Sequence, residues 1–83
     1  MSKYSPLKDY LSGLPAQQKE LTLSFGQIES IIHAALPLSA IYHQAWWANE
    51  KNGAHVEAQS WMNAGWKVDT VDQKQKWVRF VRV

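Results

Sequence analysis

Glu20-Leu21-Thr22-Leu23-Ser24-Phe25-Gly26-Gln27-Ile28 is the stretch on which the fold turns. Glu20 to Leu23 alternates polar and apolar residues, the period of a half-buried strand. Ser24 then opens a helix. With Gln27 at the third helical position it forms a capping box, in which each side chain bonds the other residue's backbone N–H. Leu23 before the cap and Ile28 after it fit a hydrophobic staple. Ile28, Ile31, Ile32 and Ala35 continue as one apolar stripe. Pro37 disfavours helix in the residue before it, so this helix is predicted to end near Leu36.

Outward from this stretch, the N-terminal side reads as a helix. Ser5 is a predicted cap and Pro6 a predicted first helical residue. Leu7, Tyr10, Leu11 and Leu14 follow at helical spacing, and Gly13 and Pro15 end the run. Residues 15–19 are a polar loop. On the C-terminal side, Ser39 is a predicted cap for a short helix from Ala40 toward Trp46 or Trp47. Asn49, Asn52 and Gly53 mark a loop. A further helix is predicted from about His55, through Val56, Ala58, Trp61 and Met62, to a left-handed stop at Gly65. Trp66 to Val71 and Lys76 to Val83 read as strands around a turn at Asp72-Gln73-Lys74.

The predicted fold class is therefore α+β. Helix, short strand, helices and a C-terminal hairpin follow in the order of a winged helix-turn-helix domain. One feature departs from that pattern. About 18 residues separate the second helix from the helix near residue 55, where a helix-turn-helix turn has 3–4. Either the segment near 39–47 is the recognition helix, or the fold is an α+β relative without DNA-reading geometry.

Bulk composition sets the frame. Eighty-three residues make one domain, 1–83. The chain has no cysteine, so its 46% hydrophobic and 12% aromatic residues must supply the stability. No run approaches the 18 apolar residues of a membrane span, so no membrane partner is expected. Met1-Ser2-Lys3-Tyr4 lacks an apolar signal-peptide core, and the expected location is cytoplasmic. Net charge is +2, but unevenly spread: residues 1–65 carry a net of −1 and residues 66–83 a net of +3. The basic excess suggests an anionic partner for the C-terminal segment; the alternative is an ordinary solvated hairpin.

Several segments together resemble a known family. They are Tyr4-Ser5-Pro6-Leu7 with Tyr10-Leu11, Leu21-Thr22-Leu23-Ser24-Phe25 with Ile28-Glu29 and Ile32, and Leu36-Pro37 with Ser39-Ala40. Trp46-Trp47-Ala48-Asn49 and Trp61 with Ala64-Gly65-Trp66, Val68 and Val71-Asp72 complete the pattern. It resembles a family of small bacterial and phage-associated domains of unknown function, over nearly the whole chain. The resemblance implies no particular activity.

The five tryptophans carry the main clue to a partner surface. Adjacent side chains point about 100° apart on a helix and to opposite faces of a strand. Trp46 and Trp47 should therefore differ in burial, one in the core and one available for contact. Ser39, Tyr42, His43, Gln44, Trp47, Asn49 and Lys51 offer donors, acceptors and flat rings in one short segment. Such side chains contact phosphates and base edges, and aromatic residues also anchor protein interfaces. Lys74 and Lys76 near the hairpin tip, with Arg79, could touch phosphates; they could equally guard a sheet edge.

Chemistry of other kinds finds little footing. The spacing of His33, His43 and His55 matches no metal pattern, so neither metal nor cofactor is expected. Ser39 and His43 stand at i and i+4, but no nucleophile elbow or phosphate loop accompanies them, and an enzyme is not expected. Two functions follow as expectations. One is nucleic-acid binding by a small regulatory or phage-related accessory domain. The other is a non-catalytic protein-interaction module, an inhibitor or adaptor with an exposed tryptophan surface.

Overall fold

The Ser24 hydroxyl accepts a hydrogen bond from the Gln27 backbone N–H at 3.0 Å, and the Gln27 side-chain oxygen accepts from the Ser24 N–H at 2.8 Å. The capping box read from the sequence is formed. Leu23 and Ile28 are both buried, as a staple requires. Ser24→Ala should therefore cost roughly 1 kcal/mol in a denaturant melt. Ile32→Ala, which empties a buried site, should cost about 2–5 kcal/mol. The half-buried Ile31 should cost less than Ile32.

This computed structural model describes residues 2–50 and 56–83. Among them the chain runs α1 (Ser5–Ser12), β1 (Glu20–Ser24), α2 (Phe25–Ile32), α3 (Leu38–Tyr42), a 3-10 turn (Gln44–Trp47), α4 (Val56–Asn63), β2 (Trp66–Asp72) and β3 (Trp77–Arg82). The architecture is α+β. The sheet is antiparallel in the order β1-β3-β2, so the last strand is central. No helix among the described residues is long and apolar enough to cross a membrane.

The sheet has one covered face. Leu21, Leu23, Val68, Val71, Val78 and Phe80 belong to the core or pack against it. In β3, Val78 and Phe80 point inward and Arg79 and Val81 outward, the alternation expected of a strand. Strand β2 breaks that alternation. Val68 pairs with Phe80, Thr70 with Arg79 and Val71 with Val78, leaving Asp69 as the extra residue of a bulge. Without it, strict alternation from Val68 would turn Thr70 inward and Val71 outward. The bulge restores the phase, so both valines reach the core.

Three predicted boundaries shift. Ser5 lies inside α1, and Tyr4 holds the cap position without a side-chain bond. The entry is held instead by Ser2, whose hydroxyl accepts from Tyr4 N–H and whose carbonyl accepts from Ser5 N–H. Helix α2 stops at Ile32 rather than near Leu36, because His33 adopts a left-handed φ of 57°. The Glu29 carboxylate then accepts from Leu36 N–H at 2.7 Å and holds the chain as it turns away. Ala35 is consequently exposed, outside the apolar stripe predicted for it. Ser39 is the second residue of α3, with Pro37 at the cap position, so it caps nothing.

Gly65 ends the fourth helix in the left-handed region at φ 86°, as read from the sequence. The predicted start of that helix at His55, with Asn52 and Gly53 of the loop, lies outside the described residues.

The core is a run of aromatic contacts. Trp47 stacks on Phe25 (5.2 Å, 20°) and on Trp61 (5.8 Å, 18°). Trp46 meets Trp47 edge-on at 4.6 Å and reaches Tyr4 at 5.8 Å. Trp61 continues the run to Phe80. Burial and the Glu57 charge both hold the Tyr4 phenol above its ordinary pKa. Trp66 lies beneath the Arg82 guanidinium at 4.5 Å and donates to Leu11 O. Arg82 in turn donates to Gln18 O and Pro15 O, pinning the loop before β1.

Candidate functional site

Helix α3 is short because little of it can be buried. Ala40 is fully buried and Ile41 half-buried, so the remaining face looks outward. Leu38 and Tyr42, four residues apart, share that face and are 73% and 72% exposed. Ser39, His43 and Gln44 are exposed beside them. A helical projection of residues 38–42 would have marked Leu38, which the residue types alone did not.

The hairpin turn is held against this helix. The Gln73 side chain donates to Ala40 O at 3.0 Å. The Asp72 carboxylate accepts from Gln75 N–H, and Lys76 O accepts from Phe25 N–H. Lys76 takes a left-handed φ of 61° within this turn. Lys74 and Lys76 are exposed on the resulting loop. The structure thus brings Ser39, Tyr42, His43 and Gln44 to the same end of the molecule as Lys74 and Lys76. Gln73, which the sequence marks only as a turn residue, makes the junction.

Three other predicted contact residues are engaged within the protein. Trp47 is 2% exposed, and its indole N–H donates to Ala40 O at 2.9 Å. It offers no face to a partner, which corrects its placement in the contact set. The pair does differ in burial, Trp46 being half-buried, but both rings pack with the core. Asn49 commits its amide to structure. Its Oδ1 accepts from Trp61 Nε1–H and Val68 N–H, each at 2.9 Å, and its Nδ2 donates to Val68 O at 2.9 Å. It therefore closes part of the β2 edge as a neighbouring strand would.

Arg79 bonds Asp69 of β2 at 2.6 Å and Glu20 of β1 at 2.7 Å, joining three strands on the open sheet face. Hydrogen bonds from Thr70 and Arg79 hold the Asp69 carboxyl below its ordinary pKa, and bonds to Glu20 and Asp69 raise that of the guanidinium. Arg79 thus already holds two carboxylates on the open sheet face. Lys51 lies outside the described residues.

The surface tryptophan is a different one. Trp77 is half-buried on the open face of the sheet and packs with neither the core nor another ring among the described residues. Ser39 and His43 meet only through the backbone, His43 N–H donating to Ser39 O at 2.8 Å. Among the described residues no three His, Cys, Asp or Glu side chains form a metal-holding group.

No curated protein and no solved structure matches this chain. Residues 4–83 do match a family, and the chain belongs to it: the family described as Domain of unknown function (DUF7662).

Proposed function

We propose that this domain binds nucleic acid through α3 and the tip of its hairpin, in a winged-helix-like arrangement. Its role is binding rather than catalysis, as a small cytoplasmic regulator or a phage-related accessory domain. The observation that carries the reading is the junction of Gln73 with Ala40. It sets an exposed aromatic ring, Tyr42, at the same end as two exposed lysines, Lys74 and Lys76. Phosphates would meet the lysines, and α3 would supply any selectivity.

Fluorescence anisotropy with labelled oligonucleotides over a salt series tests this. Lys74→Ala with Lys76→Ala should weaken binding to all sequences alike. The log–log salt slope should become shallower by about 0.9 for each duplex phosphate that the variant no longer neutralises. Failure of the wild type to bind either duplex or single strand at low salt would sink the proposal. The second reading, a protein-interaction module, is favoured by one observation: Trp77 stands with Val81 on the open sheet face. An aromatic ring partly free of its own core is a common anchor for a protein partner.

A further inference from the structure

We infer that the ligand of the α3 and hairpin-tip surface is an unpaired nucleic-acid strand rather than a duplex, an inference that rests on the nucleic-acid reading above. Reading a duplex requires a helix or ribbon seated in a groove about 12 Å wide. Helix α3 has five residues, a length of about 7.5 Å at the usual rise. Helix α4, which directly precedes the hairpin, is poorly equipped for that role. Glu57, Ala58, Ser60 and Trp61 are buried, and Val56–Asn63 contains no lysine or arginine. Between α2 and α4 the described chain instead carries α3 and the 3-10 turn Gln44–Trp47.

The charges lead the same way. Arg79 is held by two carboxylates, and Arg82 is engaged with Trp66 and two loop carbonyls. Among the described residues, Lys74 and Lys76 remain at the site, against the roughly 6–10 phosphate contacts of a salt-sensitive duplex binder. The chief feature of the surface is a flat ring. Tyr42 is 72% exposed on a helix pinned in place through Gln73. A ring stacks on the face of a base, and base faces are covered by their neighbours in a duplex but open in a single strand. An aromatic platform beside a small cationic patch is the pattern of single-strand recognition.

The test uses the full chain, a fluorescein-labelled oligothymidylate of about 16 nucleotides, and a duplex of the same length. Anisotropy at low salt should give an affinity for the single strand at least about ten-fold above that for the duplex. Tyr42→Ala should lower single-strand affinity by about 5- to 100-fold, and Tyr42→Phe, which keeps the ring, should restore most of it. Thermal melts should leave both variants folded, because the side chain lies on the surface. Equal or tighter duplex binding would overturn this inference and leave the nucleic-acid reading standing. Single-strand binding indifferent to Tyr42→Ala would overturn the stacking argument. Binding of neither probe would end both readings together.

Discussion

Trp47→Ala is expected to destabilise the domain by about 3–5 kcal/mol, the range for truncating a buried aromatic. A chain of this length has a total stability of about 4–12 kcal/mol, so the variant should be marginal or unfolded. The ring lies between Phe25 and Trp61, and its removal opens a cavity beside both. It also removes the indole donor to Ala40 O. Trp47→Phe should cost far less, because stacking survives and the Gln73 side chain still donates to that carbonyl. Urea unfolding with near-ultraviolet circular dichroism will measure both. A folded Trp47→Ala protein of near-normal stability, impaired only in binding, would return this residue to the surface.

The second large effect is predicted at an exposed residue, Asn49. Asn49→Ala should cost about 2–3 kcal/mol, since it strands the Trp61 indole N–H and both backbone groups of Val68. Water can reach the Val68 groups more easily than the indole, and the indole dominates the loss. Asn49→Asp keeps the acceptor but sets a carboxylate oxygen against Val68 O, so it should be intermediate. Hydrogen exchange at the Val68 amide should accelerate in the alanine variant. An unchanged melt, within about 0.5 kcal/mol of wild type, would show that the clamp contributes nothing.

These two residues also mark the boundary of what the sequence could tell. Ser24 with Gln27, Gly65, and the paired strands near the C-terminus were legible because each signal is local. A capping box closes within three residues, and a glycine stop needs only its own φ. The misread features depend on partners far along the chain. Asn49 has the look of a contact residue until Val68 and Trp61 take up its amide. Arg79 looks free until the register places Glu20 and Asp69 on either side. The bulge at Asp69 follows from the core's need for both Val68 and Val71, which no alternation rule predicts from β2 alone. His33 ends α2 in the left-handed region and Glu29 then holds Leu36, and a helical stripe gives no hint of either.

The tryptophan pair illustrates the same limit. Geometry required Trp46 and Trp47 to differ, and they do. It could not say that Phe25 and Trp61 would enclose one while Tyr4 and the core half-covered the other. The outward position of Trp77, by contrast, follows directly from strand alternation beside Val78 and Phe80. The candidate site was legible in its residue types, and its assembly depended on Gln73 meeting Ala40.

The central claim is that α3 and the hairpin tip together form the ligand surface. A titration of uniformly nitrogen-15-labelled protein with unlabelled oligothymidylate, followed by amide chemical shifts, tests it most directly. The largest changes should fall on Leu38 to Gln44 and on Gln73 to Lys76, with the open sheet face quiet. Changes confined to Thr22, Trp77 and Val81, or none at any concentration, would contradict the account.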